Sequence, residues 1–278
     1  MQRALPFQQV DVFAEKPLEG NALAVISDAD DLTEAQMAAL ARWTNLSETT
    51  FVLRPTHPEA DYRVRIFTPQ RELPFAGHPT LGTCHVWLDN GGTPRGEYIV
   101  QECAAGLVRI RHGAGPLAFA APPLVRSGAV ETSVLQQIAR ALGIDLARIR
   151  ASNWVDNGPG WVGVLLSSRE EVLALQMDYT VLDGLNLGVI GPWAGEGAEA
   201  DVEVRAFMGG EFAEDPVTGS LNASLAQWLI GAGELPERYV ASQGTVIGRR
   251  GRVSIERIGN DVWVGGRVQT CVVGQISI

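Results

Sequence analysis

The chain has 278 residues, 46% of them hydrophobic, which is long enough for two cores of ordinary size. Its net charge of −10 and lack of any basic block would repel a phosphate backbone, so nucleic acid is excluded as a partner. No stretch approaches the roughly 18 apolar residues of a membrane helix, the first residues lack the apolar stretch of a secretory signal, and a cytoplasmic location is expected.

Taken in chain order, Phe7 to Phe13 and Ala22 to Ile26 read as strands joined by the turn Pro17-Leu18-Glu19-Gly20. Thr33 with Gln36 forms a capping box, and Leu32 with Met37 a hydrophobic staple, so a helix is expected to about Trp43. Phe51 to Leu53 is the next strand. Tyr62, Val64 and Ile66 alternate with Arg63 and Arg65, the pattern of a half-buried strand. Further strands are expected near Glu97 to Cys103 and Leu107 to Arg111. The uncharged, Gly- and Pro-containing stretch around Gly113 to Pro123 marks a boundary, giving halves at 1–116 and 117–267, with a last strand near 268–278 returning to the first half.

The second half repeats the first. Arg205-Ala206-Phe207 echoes Arg65-Ile66-Phe67, and each is followed by a glycine and an apolar helix. One helix is read over Leu81 to Leu88, the other over Leu221 to Ile230. The offset is about 140 residues, too long for a solenoid repeat and suited to duplication of a whole domain. Helices apolar on every side are enclosed, so each is expected inside the strands of its own half. Their N-termini carry unpaired N–H groups and the positive end of the dipole. Gly77 and Gly219 leave room there for a ligand carboxylate or a developing oxyanion, a local attraction that an acidic protein needs.

The acids and bases near these helix starts are ambiguous by themselves. Asp215 reads equally as a helix cap. Glu48, in Leu46-Ser47-Glu48-Thr49-Thr50-Phe51, reads as a solvated carboxylate, and His78 as a hydrogen-bonding structural residue. His57, His85 and His112 show no ligand spacing with His78, so no metal is expected. Cys84, Cys103 and Cys271 suggest neither disulfides nor a zinc site. Nucleophile elbows, phosphate-binding loops and dinucleotide fingerprints are missing. The residues themselves lead to an anion-binding cleft with two carboxylates nearby.

Taken together, certain segments resemble the PhzF-like family of isomerases, named from phenazine biosynthesis. They are Asp11-Val12-Phe13-Ala14, Pro17 to Asn21, Leu46 to Phe51, Arg65 to Pro69, Glu72 to Pro79, Asp215 to Ser220, Gln243-Gly244 and Ile247-Gly248-Arg249. The resemblance implies an α+β fold of the diaminopimelate-epimerase type. In that fold two pseudo-symmetric domains, each a curved, mostly antiparallel sheet around a central helix, hold the substrate between them. It further implies catalytic roles for Glu48, His78 and Asp215. Substrate contacts would come from Gly77, Gly219, Ser220, Thr218, Asn157 and Ser47. The expected reaction moves a proton on a small anionic, possibly cyclic, carboxylated substrate, without a cofactor, in a homodimer. Related epimerases use two facing cysteines, and here Ala76 and Thr218 take those positions. A racemase working through carboxylates and a binding protein without turnover are the alternatives.

Overall fold

The computed structural model describes residues 4–113, 115–195 and 197–278. The chain divides into two compact units, one running to Ala120 and including Gly265–Ile278, the other Ala121–Val264.

The first unit opens with a hairpin of β1 (Ala4–Val12) and β2 (Asn21–Ile26). Its turn closes where the Asp11 carboxylate accepts the Gly20 N–H at 2.9 Å. A side chain on Gly20 would begin 2.1 Å from the Val12 carbonyl oxygen, so only glycine fits. Helix α1 (Glu34–Thr44) has the expected capping box, with Thr33 and Gln36 each accepting the other's backbone N–H. It buries Met37, Leu40 and Ala41 against Leu5, Ile26, Phe51 and Phe67. Strand β3 (Glu48–Leu53) then runs parallel to β2, and β4 (Tyr62–Phe67) antiparallel to β3, with the short β5 (Glu72–Leu73) folded back on it. After α2 (Gly77–Asp89), β6 (Ile99–Cys103) lies parallel to β4. Strands β7 (Gly106–Arg111) and β8 (Leu117–Ala120) continue antiparallel. A closing strand, Val268–Ser277, returns to pair with β1 along its whole length. Helix α2 touches β1, β2 and β3 near one end of this series and β8 at the other. The sheet therefore curls around it.

In the second unit, β9 (Arg126–Gly128) pairs with β10 (Ala151–Asp156), with α3 (Thr132–Leu142) between them. Strand β11 (Trp161–Leu165) is antiparallel to β10. Short helices α4 (Arg169–Leu173) and α5 (Tyr179–Leu182) lead to β12 (Asn186–Pro192), parallel to β11. Strand β13 (Val202–Met208) is antiparallel to β12, and β14 (Ala213–Asp215) folds back on β13. After α6 (Gly219–Gly231), β15 (Arg238–Gln243) runs parallel to β13, followed by β16 (Gly251–Ile258) and β17 (Asp261–Gly266). From β10 to β16 the sequence of antiparallel and parallel pairings repeats that from β1 to β7. The duplication expected from Gly77 and Gly219 is a repeat of topology, and both glycines begin helices of 13 residues.

Matched side chains accompany the matched topology. Arg65 grips Glu72 through Nε and a terminal nitrogen and lies over Phe67, just as Arg205 grips Glu214 and lies over Phe207. Asp61 and Asp201 accept the backbone N–H of Val100 and Val240 at 2.8 and 2.7 Å, clamping the parallel strand pairs.

Close helix–sheet approach is achieved differently in the two units. In the first, Gly82 of α2 faces Leu23, Val12 and Val10. In the second, the glycines are on the sheet: Gly163 and Gly188 stand side by side on β11 and β12 beneath Leu225 and Leu221 of α6. A side chain at Gly188 would begin 2.4 Å from Leu221 Cδ1. Overpacking of this kind costs about 1–3 kcal/mol, so Gly188→Val is expected to lower the free energy of urea unfolding by that amount. Gly210→Ala, at an exposed site with open space, is the control and should change it by less than about 0.5 kcal/mol. Equal losses in both variants would contradict the packing assignment.

Candidate functional site

Candidate residues collect at the starts of α2 and α6, one group in each unit. In the first unit, Glu48 is the opening residue of β3 and His78 the second of α2. The parallel pairing of β3 with β2 sets Glu48 opposite Leu23, two positions beyond Asn21. These placements bring Glu48 Oε2 within 3.2 Å of His78 Nε2, with the histidine buried and the glutamate side chain 14% exposed. On its other side the ring meets Asn21, whose amide nitrogen lies 3.4 Å from His78 Nδ1. With the Asn21 amide nitrogen turned toward the ring, Nδ1 is the acceptor and the ring proton falls on Nε2, which lies 3.2 Å from Glu48 Oε2 but outside hydrogen-bonding geometry. Gly77 is the first residue of α2, and Ser47 is exposed just ahead of β3.

Neither helix start is capped by its own side chain. In α2 the first in-helix bond is made by Thr80, to the Ala76 carbonyl; Pro79 has no N–H, and those of Gly77 and His78 lie beyond the reach of the helix's own carbonyls. In α6 the first such bond is from Asn222 to Thr218, leaving Gly219, Ser220 and Leu221 in the same position.

The second group surrounds the start of α6. Asp215 ends β14, and its Oδ2 accepts the Thr218 hydroxyl at 2.5 Å. Asn157 donates to the Ser220 carbonyl at 2.9 Å, and the Trp161 indole N–H donates to the Ser220 hydroxyl at 3.3 Å. Beneath them Gln243, fully buried on β15, bonds Asp215, Thr218 and Asn222. Gln101 on β6 plays a similar part under α2, donating to Thr80 and accepting from Tyr62. Each named candidate except Ser47, which lies ahead of β3, thus stands at or beside a helix start. Asn21, Asn222 and Gln243 carry no sequence signal of a role, although Gly20-Asn21 and Gln243-Gly244 lie in the segments that carry the resemblance.

The site's ionisation follows from burial. Loss of solvent lowers the His78 pKa from 6.5 to about 3, so the ring faces Glu48 as a neutral imidazole at ordinary pH. Burial pushes the Cys84 thiol up to about 12, and the Cys103 and Cys271 thiols are also raised by desolvation. None is poised as a thiolate. Among the described residues no group of three or more His, Cys, Asp or Glu is arranged to hold a metal. An open cleft of about 760 Å³ lies at the opposite end of α2, lined in part by Trp87, Asn90 and Asp28, and holds none of the candidate residues.

The family model described as "Phenazine biosynthesis-like protein" matches residues 10–272. "Antisense-enhancing sequence 1" of Schizosaccharomyces pombe is 35% identical, covering 98% of both chains. "Trans-2,3-dihydro-3-hydroxyanthranilate isomerase" of Pseudomonas chlororaphis is also 35% identical, over 86% of each. The crystal structure of a phenazine biosynthesis protein of the PhzF family from Enterococcus faecalis superposes with a TM-score of 0.81. It has 26% identity and covers 99% of this chain and 100% of that one.

The histidine assignment makes a direct prediction. The folded ring binds its proton only near pH 3 and the unfolded ring near 6.5, so the unfolded state holds more protons in between. The stability tied to this site is complete above pH 6.5 and is lost as pH falls toward 3. Nitrogen-15 NMR of the imidazole should show one neutral tautomer, protonated on Nε2, from pH 8 to 5. A ring titrating near 6.5 would contradict it.

Proposed function

Because the chain belongs to the phenazine biosynthesis-like family, we propose that it is an isomerase that relocates a proton on a small carboxylated substrate by general acid–base catalysis. The observation that carries this reading is the Glu48–His78 contact of 3.2 Å at the start of a buried helix. Helix starts whose first N–H groups no helix carbonyl engages attract a substrate carboxylate in a protein of net charge −10 that otherwise repels anions. In the first unit Gly77 would let a carboxylate approach the backbone, with Ser47 as a polar neighbour, and in the second Gly219 would do so, with Thr218, Ser220 and Asn157.

Glu48 is the base. Its carboxylate takes a proton from a substrate carbon, and the electron pair spreads toward an adjoining unsaturated system. The resulting carboxylic acid returns the proton to another carbon. The neutral His78 ring lies against the carboxylate without neutralising it, whereas an imidazolium there would make Glu48 a weaker base. Asp215 is the second acid or the group that orients the substrate. A cyclic dihydro-hydroxy acid of the kind in the name of the Pseudomonas chlororaphis relative suits this chemistry. The raised thiols speak against a two-cysteine racemase mechanism.

We further propose a cytoplasmic homodimer, two-fold dimers being the commonest assemblies. Its support is the exposed pair Val272 and Val273 on the closing strand, 46% and 73% accessible.

Turnover of trans-2,3-dihydro-3-hydroxyanthranilate in heavy water should place deuterium at the product's new C–H position. Acid–base steps contribute about 10²–10⁴-fold in rate, so Glu48→Gln should lower kcat by at least that order while leaving KM within a few-fold. Near-normal turnover in this variant would remove Glu48 from the mechanism. Activity should also survive exhaustive dialysis against a chelator. Loss that one added metal ion restores would overturn the cofactor-free assignment.

A further inference from the structure

The hydrogen bonds around Gln243 have only one consistent set of directions. Its Oε1 lies 3.0 Å from the Thr218 backbone N–H, a group that can only donate. Its Nε2 lies 3.0 Å from the Asp215 backbone carbonyl, a group that can only accept. Two backbone atoms therefore fix the amide's orientation. Asn222 gives Oε1 a second bond at 2.8 Å, with its other N–H on the Thr218 carbonyl at 2.9 Å. The remaining N–H of Gln243 goes to Thr218 Oγ1 at 2.9 Å. The hydroxyl is thereby an acceptor from Gln243, and its own hydrogen is directed at Asp215 Oδ2, 2.5 Å away. All four bonding positions of the Gln243 amide are filled.

We propose that Gln243 is the positioning residue for Asp215, acting through Thr218 to hold Asp215 Oδ2 as an acceptor. This rests on the reading of Asp215 as a functional carboxyl. The local fold is built for it. Gly244 follows Gln243 at φ 91°, and a side chain there would begin 2.6 Å from the Pro216 carbonyl oxygen, so glycine lets β15 approach the Asp215–Thr218 turn. The Thr218 hydroxyl is not spent on capping α6, which has no side-chain cap bond. Two charged groups on the adjoining strand have partners of their own. On β13, Glu203 accepts bonds from Trp193 and Thr245, and Arg205 is bound to Glu214 of β14. Helix α6 carries no charge, and Arg249 sits in the turn behind Gly244.

The test is the carbon-13 signal of the Asp215 carboxyl, followed against pH in the full chain. The hydroxyl bond favours the ionised form, and a hydrogen bond to a charged group is strong enough to move a titration midpoint by about one pH unit. Thr218→Val should raise the Asp215 midpoint by at least about that much, and Thr218→Ser should restore it. Gln243→Met, which removes both donors without adding a charge, should also raise it. In the Thr218→Val background the Gln243→Met change should add little, because both act along one path. An unmoved midpoint in a folded Thr218→Val variant overturns the proposal. The same variants are then assayed with trans-2,3-dihydro-3-hydroxyanthranilate, where kcat should fall more than about tenfold with KM little changed. A shifted midpoint with unchanged kcat upholds the relay and removes Asp215 from the reaction, which separates the two failures.

Discussion

A helix that is apolar on all sides has no face to offer solvent, and the architecture follows from having two of them. Nine residues of α2 and ten of α6 are buried, more than a helix resting on one face of a sheet would conceal. Each sheet must curl until its strands reach several sides of the helix, which requires close contact somewhere. In the first unit that closeness comes from Gly82 on the helix, and in the second from Gly163 and Gly188 on the strands. The same requirement was met with residues on opposite partners, as expected of copies that diverged while their topology held.

Enclosing a helix also encloses its ends, and the polar groups there need partners. Gln101 and Gln243 answer that need from inside the sheets, as amides that satisfy donors and acceptors together. They do not occupy equivalent positions. Gln101 pairs in register with Tyr62 at the start of β4, whereas Gln243 pairs with Val204, the third residue of β13. Gln243 consequently reaches Thr218, just before its helix, as well as Asn222 in the first turn, while Gln101 reaches Thr80, which holds the position of Asn222 in α2. The first N–H groups of α2 and α6 have no helix carbonyl to bond, and beside them stand Glu48, His78 and Asp215. A buried polar residue is costly unless satisfied, and the neutral state of His78 is how that cost is limited in the first unit.

Much of this was legible from residue patterns. The capping box at Thr33 and Gln36, the alternation of Tyr62 to Ile66 and the two apolar helices are local signals, and each corresponds to an element in place. Less legible was the stretch from residue 126 to 192. Its fully buried strands, such as Trp161–Leu165, show no alternation because both faces are covered. Helix α3 was passed over despite an amphipathic run and Gly143 at its C-terminus. At the site, the resemblance pointed to Glu48, His78 and Asp215, but the residues that orient them are separated in sequence. Asn21 meets His78 across 57 positions and Gln243 meets Thr218 across 25. Such partnerships arise from strand register, which a single sequence does not display.

The closing strand imposes an order on the life of the polypeptide. Ala4 pairs with Ser277, and the pairing continues to Val12 with Val268, so nearly the whole chain separates the two partners. During synthesis β1 and β2 emerge well before the strand that completes their sheet, and the second unit follows as an uninterrupted stretch with its own pairings. Until Val268–Ser277 has been made and has docked, β1 presents an open edge of backbone donors and acceptors, the kind of edge that recruits other chains. Completion of the first unit is the slow, long-range step. The protein's vulnerability to aggregation is therefore concentrated in the interval between synthesis of Val268 and the docking of the strand it begins.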